Sequence, residues 1–458
     1  MANRGPHSAR EGALQILYAV EVEGAYANLV LDRVLREAPI NRLDRSLLTE
    51  LVYGTLRWRN RLDWVLGRVV RTRLEDLTPW IRNILRLGAY QLLFLDRIPA
   101  SAVCDEGVKL AYRYGHRGVA GLVNGVLRNL ARQGREIELP DPGDDPAKHL
   151  AVAYSHPEWM VDRWLRRYGF EETRRLCEAD NRPAPQWVRV NTLKLSPLEL
   201  AEKLKPMGIE AYPGRLVEES LCLVGEINYT ELELHQAGYF YVQDQSSMLV
   251  AHTVDPSEGQ RVVDACAGPG GKTSHIAQLM KNTGEILAFD IHQHKLGLVE
   301  ANCRRMGVSS VSTRVMDARQ LPGELAGWAD HVLVDAPCSG LGVLARRPDL
   351  RWRRDPEAMK QLPALQKELV RAASGCLKPG GTLVYSTCTL EPEENEEVVE
   401  WAVENCGLLL DDLEPHLGKG EWSEEDRRKM RGGFIYLFPH IHGTDGFFIS
   451  RLRRPDGM

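Results

Sequence analysis

Asp264-Ala265-Cys266-Ala267-Gly268-Pro269-Gly270-Gly271-Lys272-Thr273 joins an apolar run to a helical one. Its three glycines let the backbone approach a ligand closely at a helix N-terminus. Two phosphate-binding patterns do not fit. A Walker A loop needs glycine five positions before Gly271, and Cys266 stands there. A dinucleotide turn needs a third glycine, where Lys272-Thr273 follow Gly271 instead. From this turn onward, strands and helices alternate. Strands are predicted at 261–266, 285–290, 310–316, 331–336 and 381–386, with helices near 273–282, 292–306 and 356–376. Two further strands fit 434–438 and 447–452. Such alternation implies a doubly wound, mostly parallel α/β sheet.

Two carboxylates follow the turn in order. Asp290 ends the strand Ile286-Leu287-Ala288-Phe289-Asp290, about 20 residues on, where a ribose diol is gripped. Asp317 ends the next strand and could accept from an adenine amino group. Taken singly, each could equally cap a helix. Taken with the glycine turn, the ordered set points to a nucleotide-like cofactor.

Two of the nine cysteines stand apart. Cys338 lies in Asp335-Ala336-Pro337-Cys338-Ser339-Gly340 and Cys388 in Tyr385-Ser386-Thr387-Cys388-Thr389-Leu390. Each is framed by small polar residues at a strand exit, on the sheet edge where ligands bind. Cys104, Cys177, Cys222, Cys303, Cys376 and Cys406 read instead as small hydrophobes. Two thiols suit one particular chemistry. Carbon 5 of cytosine is too weak a nucleophile to attack a methyl sulfonium. A thiolate adding to carbon 6 makes carbon 5 enamine-like. A second group then removes the carbon-5 proton as the adduct is released. Asp335 would hold the ring at its N3 edge.

Composition bounds the rest. The chain has 458 residues, 43% of them hydrophobic and 26% charged, so two or three domains are expected. There is no run of 18 apolar residues and no signal-peptide core, so no membrane partner is expected. The cysteines form no C-x-x-C pair, which argues against structural zinc and disulfides. A reducing cytoplasm, no metal and a monomer are the expectations. Residues 1–140 carry 21 Lys and Arg against 15 Asp and Glu, a net +6; the remainder carries 37 against 48, a net −11. The N-terminal excess is almost all arginine, suited to nucleic-acid phosphates or simply to a solvated helix face. A second arginine run, Arg346-Arg347-Pro348-Asp349-Leu350-Arg351-Trp352-Arg353-Arg354, also reads as an RNA contact.

Apolar spacings of three and four over Ala13–Val20, Leu47–Leu56, Leu62–Val69, Ile81–Leu93 and Val119–Leu130 predict packed helices. Pro99 and Ser101 mark another helix start. Leu139-Pro140-Asp141-Pro142-Gly143-Asp144-Asp145-Pro146 reads as a linker. From Trp187 the period shortens and a small α/β module is predicted. The division is therefore 1–140 (all-α), 141–240 (linker helices and small module) and 241–458 (α/β).

These motifs resemble the RNA cytosine-5 methyltransferases of the Nol1/Nop2/Sun type. The matching segments are D-x-C-A-x-P-G-G-K-T at 264–273, Asp290, Asp317, D-A-P-C-S-G at 335–340 and K-P-G-G-x-L-V-Y-S-T-C at 378–388. Glu391–Glu396, Arg189-Val190-Asn191-Thr192, Gln243-Asp244 and Thr444–Phe448 also match. One departure is Gly268, where the family usually has alanine. Residues 1–140 are similar to the NusB-type RNA-binding fold, through Leu51-Val52-Tyr53-Gly54-Thr55 and Val123-Asn124-Gly125-Val126-Leu127. Both parts on one chain are the pattern of the bacterial Sun/Fmu type. The resemblance implies a Rossmann-like class I methyltransferase domain acting on a cytosine of small-subunit ribosomal RNA. It implies Cys388 as nucleophile, with Cys338 assisting release. It implies that Cys266, Ala267, Gly268, Pro269, Gly270, Gly271, Lys272, Asp290, Asp317 and Asp335 line S-adenosylmethionine, and that Lys272 and Asp335 also face the cytosine. A DNA cytosine-5 methyltransferase, with its thiol at the Cys338 position, is the nearest alternative, but that family has no counterpart of Thr387-Cys388. A non-catalytic RNA-binding or antitermination module is the other.

Overall fold

The computed structural model describes residues 8–37, 41–134, 137–225, 227–229, 231–417 and 419–457. They form two compact units. One runs to Arg182 and also takes in Leu344–Arg353; the other holds Pro183–Val343 and Arg354 onward.

The first unit is helical: α1 (Ala9–Val22), α2 (Ala27–Glu37), α3 (Arg42–Arg57), α4 (Arg59–Val69), α5 (Pro79–Phe94), α6 (Ala100–Tyr114), α7 (Arg117–Gln133), α8 (Pro146–Ala153) and α9 (Glu158–Ala179). The predicted apolar stripes face inward, with Leu14, Leu51, Leu85, Val123 and Leu127 in one core. Ser8 caps α1 by accepting from the Glu11 amide, and Pro79 opens α5, where its missing N–H costs nothing. Helix α2 is not among the stripes singled out in the sequence, yet it carries one: Ala27 and Leu31 are buried, and Val30, Val34 and Leu35 pack against the same core.

Within the arginine run at 346–354, the residues 351–353 correct the sequence reading. Arg351 is fully buried in the helical unit. Its guanidinium donates to the carbonyls of Arg57, Ser155 and Asp180 and to Asn181 Oδ1, at 2.8–3.2 Å. Trp352 donates to the Leu56 carbonyl, and Arg353 donates to the Ala25 carbonyl and stacks on Tyr26. These three side chains hold a peptide against helices; they are neither a phosphate ladder nor a solvated face.

The second unit begins with an antiparallel sheet of β1 (Gln186–Val190), β2 (Glu210–Pro213), β3 (Ser220–Val224) and β4 (Phe240–Val242), ordered β2-β3-β1-β4. The helices α10 (Pro197–Leu204) and α11 (Glu233–Gln236) accompany it. Then follow α12 (Gln245–Val254), β5 (Arg261–Asp264), α13 (Gly271–Leu279), β6 (Glu285–Asp290), α14 (Gln293–Met306), β7 (Val311–Val315), β8 (Ala329–Asp335), β9 (Leu377–Thr387), β10 (Leu409–Leu410), β11 (Phe434–Leu437) and β12 (Phe447–Arg453). The large sheet is ordered β10-β12-β9-β8-β5-β6-β7, with β11 paired to β12. Strands β5 to β9 are mutually parallel, while β10, β11 and β12 add antiparallel pairs. The predicted alternation therefore holds. The helix predicted at 356–376 is in fact broken, into Pro356–Met359 and Leu362–Cys376. The order reverses between β5, which continues to β6 and β7, and β8, which continues to β9. Ligands bind open α/β sheets at that switch point, outside the carboxyl ends of the strands.

Candidate functional site

The carboxyl ends of β5, β8 and β9 supply the site. After β5 the chain stays close to the sheet: the Ala265 amide donates to the Leu333 carbonyl and the Ala267 amide to the Phe289 carbonyl. Gly270 then takes φ +101°, which a side chain would strain, and α13 starts at the next residue. Thr273 donates to Asp264 at 2.7 Å, and the Cys266 amide contacts the same carboxylate at 3.4 Å. Burial pushes the Asp264 carboxyl up to about 6. Burial, with help from Asp264, Asp335 and Asp290, also raises the Cys266 thiol. Pro269 contributes a carbonyl that accepts from Asn302 at 3.1 Å.

Gly268, where the family usually has alanine, has no room for a side chain here. A Cβ there would lie 2.7 Å from Asp290 Oδ2 and 2.7 Å from the Lys295 side chain. The missing side chain lets the turn close on Asp290. Asp290 itself ends β6, accepts from the His292 amide at 2.9 Å and meets Lys295 Nζ at 3.3 Å. Asp317 follows β7 and caps a short 3₁₀ turn. Its oxygens accept from the Arg319 amide and guanidinium at 2.6–3.0 Å, which holds the carboxyl below its ordinary value. The capping role considered for Asp317 is thus present.

The two thiols meet. Cys388 Sγ, immediately after β9, is 3.3 Å from Cys338 Sγ, three residues past β8. Asp335 faces Ser386 in the β8–β9 register. Its Oδ1 accepts from Ser386 Oγ at 2.9 Å and its Oδ2 from Lys272 Nζ at 2.7 Å. Burial disfavours the Lys272 ammonium, but Asp335 outweighs it and the net pKa is raised. Lys272 also lies 5.1 Å from the centre of the Phe447 ring. The pair of sulfurs is polarised. A hydrogen bond from Cys338 pulls the Cys388 thiol below its ordinary range despite burial, aided by Lys272. The same bond, together with burial, pushes Cys338 well up.

A frame that the sequence did not assign fixes the Cys338 loop. Glu394 Oε2 accepts from the Ser339 amide at 2.9 Å and from Gln366 Nε2 at 3.0 Å, while Gln366 also donates to the Pro337 carbonyl. Ser339 Oγ lies 2.7 Å from Thr389 Oγ1, and Asn395 joins Thr387 to the Thr389 carbonyl. The run Glu391–Glu396 was visible as a motif; its partner Gln366 carries no local signal. Arg189 of β1 explains another motif: it donates to Gln243 Oε1, to the Gly271 carbonyl and to Ser274 Oγ, locking the small sheet to the start of α13.

Family models match three segments: the 16S rRNA methyltransferase RsmB/F at residues 251–453, the NusB family at 7–132, and an RsmF/B-like ferredoxin-like domain at 156–230. The chain is 40% identical to the probable ribosomal RNA small subunit methyltransferase B of Bacillus subtilis, over 98% of this chain and 99% of that one. Among solved structures, that of PH0851 matches with a TM-score of 0.82 and 28% identity, covering 98% of this chain and 99% of its own. The structure of NSun6 from Pyrococcus horikoshii with SFG matches with a TM-score of 0.59 and 28% identity, covering 65% of this chain and 98% of its own.

Proposed function

The chain belongs to the ribosomal RNA small-subunit methyltransferase B family, and we propose that it methylates carbon 5 of a cytosine in 16S rRNA through a covalent Cys388–cytosine adduct. S-adenosylmethionine is the family's methyl donor, and SFG is an analogue of it. The residues present fit such a cofactor: a glycine turn at the switch point and a carboxylate, Asp290, brought against it by the missing side chain of Gly268. Gly268–Gly271 and Asp290 would hold it, with Cys266, Ala267, Lys272, Asp317 and Asp335 around them. Bound there, it supplies an electrophilic methyl group.

The observation that supports the chemistry is the 3.3 Å pair of unequal thiols beside Lys272–Asp335. The lowered thiol, Cys388, adds to carbon 6, and the C5–C6 electron pair moves onto carbon 5, making it the nucleophile toward the methyl that a bound cofactor would supply, the methyl–sulfur bond breaking as the methyl–carbon bond forms. Asp335, held by Lys272 and Ser386, orients the base. The proton on carbon 5 then leaves to the Cys338 sulfur. The electron pair of that C–H bond rebuilds the ring double bond as the Cys388 S–C6 bond breaks. The timing follows from charge. Cys338 is kept protonated chiefly by its neighbour Cys388 and by burial. Once Cys388 is a neutral thioether, its part in that effect is gone, and Cys338 can release its own proton to solvent and stand as the thiolate that takes the carbon-5 proton. The N-terminal helices are read as the RNA-binding part. Incubating the protein with small-subunit rRNA and S-adenosylmethionine, then analysing nucleosides by mass spectrometry, should yield 5-methylcytidine. Methylation on another base or on ribose, or on DNA instead of RNA, would overturn the proposal.

A further inference from the structure

Glu219, His252 and His275 form a second cluster of chemically able side chains in the sheet unit. They come from three elements: the residue that precedes β3, the eighth residue of α12 and the fifth of α13. His252 Nε2 lies 2.7 Å and His275 Nε2 2.6 Å from the same oxygen, Glu219 Oε1. The two rings are 5.3 Å apart and nearly perpendicular, at 84°. His275 is wholly buried and its Nδ1 has no hydrogen-bond partner, so Nε2 is the nitrogen it engages. Glu219 and His252 line a cavity of about 470 Å³. Asp255 and His416 lie on the same wall, 3.1 Å apart.

We propose that Glu219, His252 and His275 bind a divalent transition metal, zinc by preference. Two imidazoles and one carboxylate are a donor set for zinc, with three protein ligands and a fourth position left for water. Here that position opens on the cavity. A tetrahedral ion with bonds near 2.0–2.2 Å would set its ligand atoms about 3.3 Å apart. The present contacts must therefore widen by roughly half an ångström. His252, with a side chain 27% exposed, would swing toward the cavity, and the Glu219 carboxylate would draw back from the buried His275 ring to admit the ion. The ion would place a compensating positive charge beside the buried Glu219 carboxylate, between the two imidazoles. It would also tie β3 and α12 to α13, the helix whose first residues form the glycine turn. None of the nine cysteines takes part, which is why the absence of C-x-x-C in the sequence argued against zinc. Ligands 33 and 56 positions apart leave no local spacing to read.

The test uses the full chain, stripped with a chelator and titrated with zinc chloride against a chromophoric competitor. One equivalent should bind, and zinc should raise the melting temperature. His252→Ala, at a partly exposed site outside the methyl-transfer machinery, should weaken binding at least tenfold and remove the thermal shift. X-ray anomalous scattering at the zinc edge on the unmodified protein should locate the ion among the three side chains, which needs no variant to fold. Failure of the unmodified protein to take up one equivalent would overturn the site. So would equal binding by His252→Ala, or anomalous density elsewhere.

Discussion

Arg351 in the helical unit and Lys272 in the sheet unit are both cations drawn into the protein, and they are used in opposite ways. In the helical unit, guanidiniums are consumed by the fold. Arg351 is surrounded by carbonyls, and Arg86 is held bidentate by Asp63 at 2.7 Å with Glu21 at 3.2 Å. In the sheet unit, Lys272 has one carboxylate partner, Asp335, and its charge also reaches the Cys388 thiol. A buried cation fully ringed by acceptors stabilises a structure; one left adjacent to a nucleophile tunes reactivity. The count of arginines in residues 1–140 therefore overstates the positive charge available to RNA.

That contrast can be broken by substitution. Arg351→Met should cost the most stability, about 1–3 kcal/mol for each buried acceptor it leaves unpaired. It should lower the melting temperature of the full chain without altering the salt slope of RNA binding. An unchanged melting temperature with a shallower salt slope would return the arginine to a phosphate role. Lys272→Met should do the reverse: little change in melting, but a loss of methyl transfer of about 10²–10³-fold, the usual cost of a lost electrostatic partner at a reacting centre. It should also move Cys388 reactivity. The Cys388 thiol is lowered, so its thiolate persists below the ordinary thiol range and is lost only as pH falls through the lowered value. Alkylation by iodoacetamide should therefore rise with pH earlier at Cys388 than at Cys338, and Lys272→Met should shift the Cys388 profile upward. An identical profile in the variant would remove Lys272 from the tuning.

Smaller effects sharpen the cofactor side. Asp290→Ala should weaken S-adenosylmethionine binding by about 1–3 kcal/mol in calorimetry, as for a lost charged hydrogen bond. Unchanged affinity would count against a ribose contact. Gly268→Ala restores the residue usual in the family, yet its Cβ meets Asp290 and Lys295 at 2.7 Å. It should weaken cofactor binding by less than Asp290→Ala and be relieved in part by Lys295→Ala. No effect from either change would mean the turn relaxes freely.

Much of this was legible in the chain itself. Strand–helix alternation after Arg261 pointed to the parallel sheet because strand-like runs of four to seven residues ending in Asp264, Asp290 and Asp335 are short and bounded. The thiols were legible because both stand at strand exits. What escaped shares one cause: it depends on contacts between distant positions. Gln366 reaches Glu394 and Pro337 from the middle of a helix. Arg351 looks like its neighbours in an arginine run, and only its burial separates it. Arg189 and Asn191 matched a motif, but their work, holding Gly271, Gly238 and Met306, appears only in three dimensions.

The central claim is the division of labour between two sulfurs 3.3 Å apart, Cys388 attacking and Cys338 releasing. Denaturing gel mobility of RNA incubated with S-adenosylmethionine and each cysteine variant tests it directly. Cys338→Ala should still permit attack and methyl transfer, at a reduced rate because Cys388 loses the Cys338 hydrogen bond, but stall before elimination, giving a slow-migrating, denaturant-resistant protein–RNA band. Cys388→Ala, and the double variant, should give no band and no methylation. A covalent band from Cys388→Ala, with none from Cys338→Ala, would reverse the assignment and contradict the account.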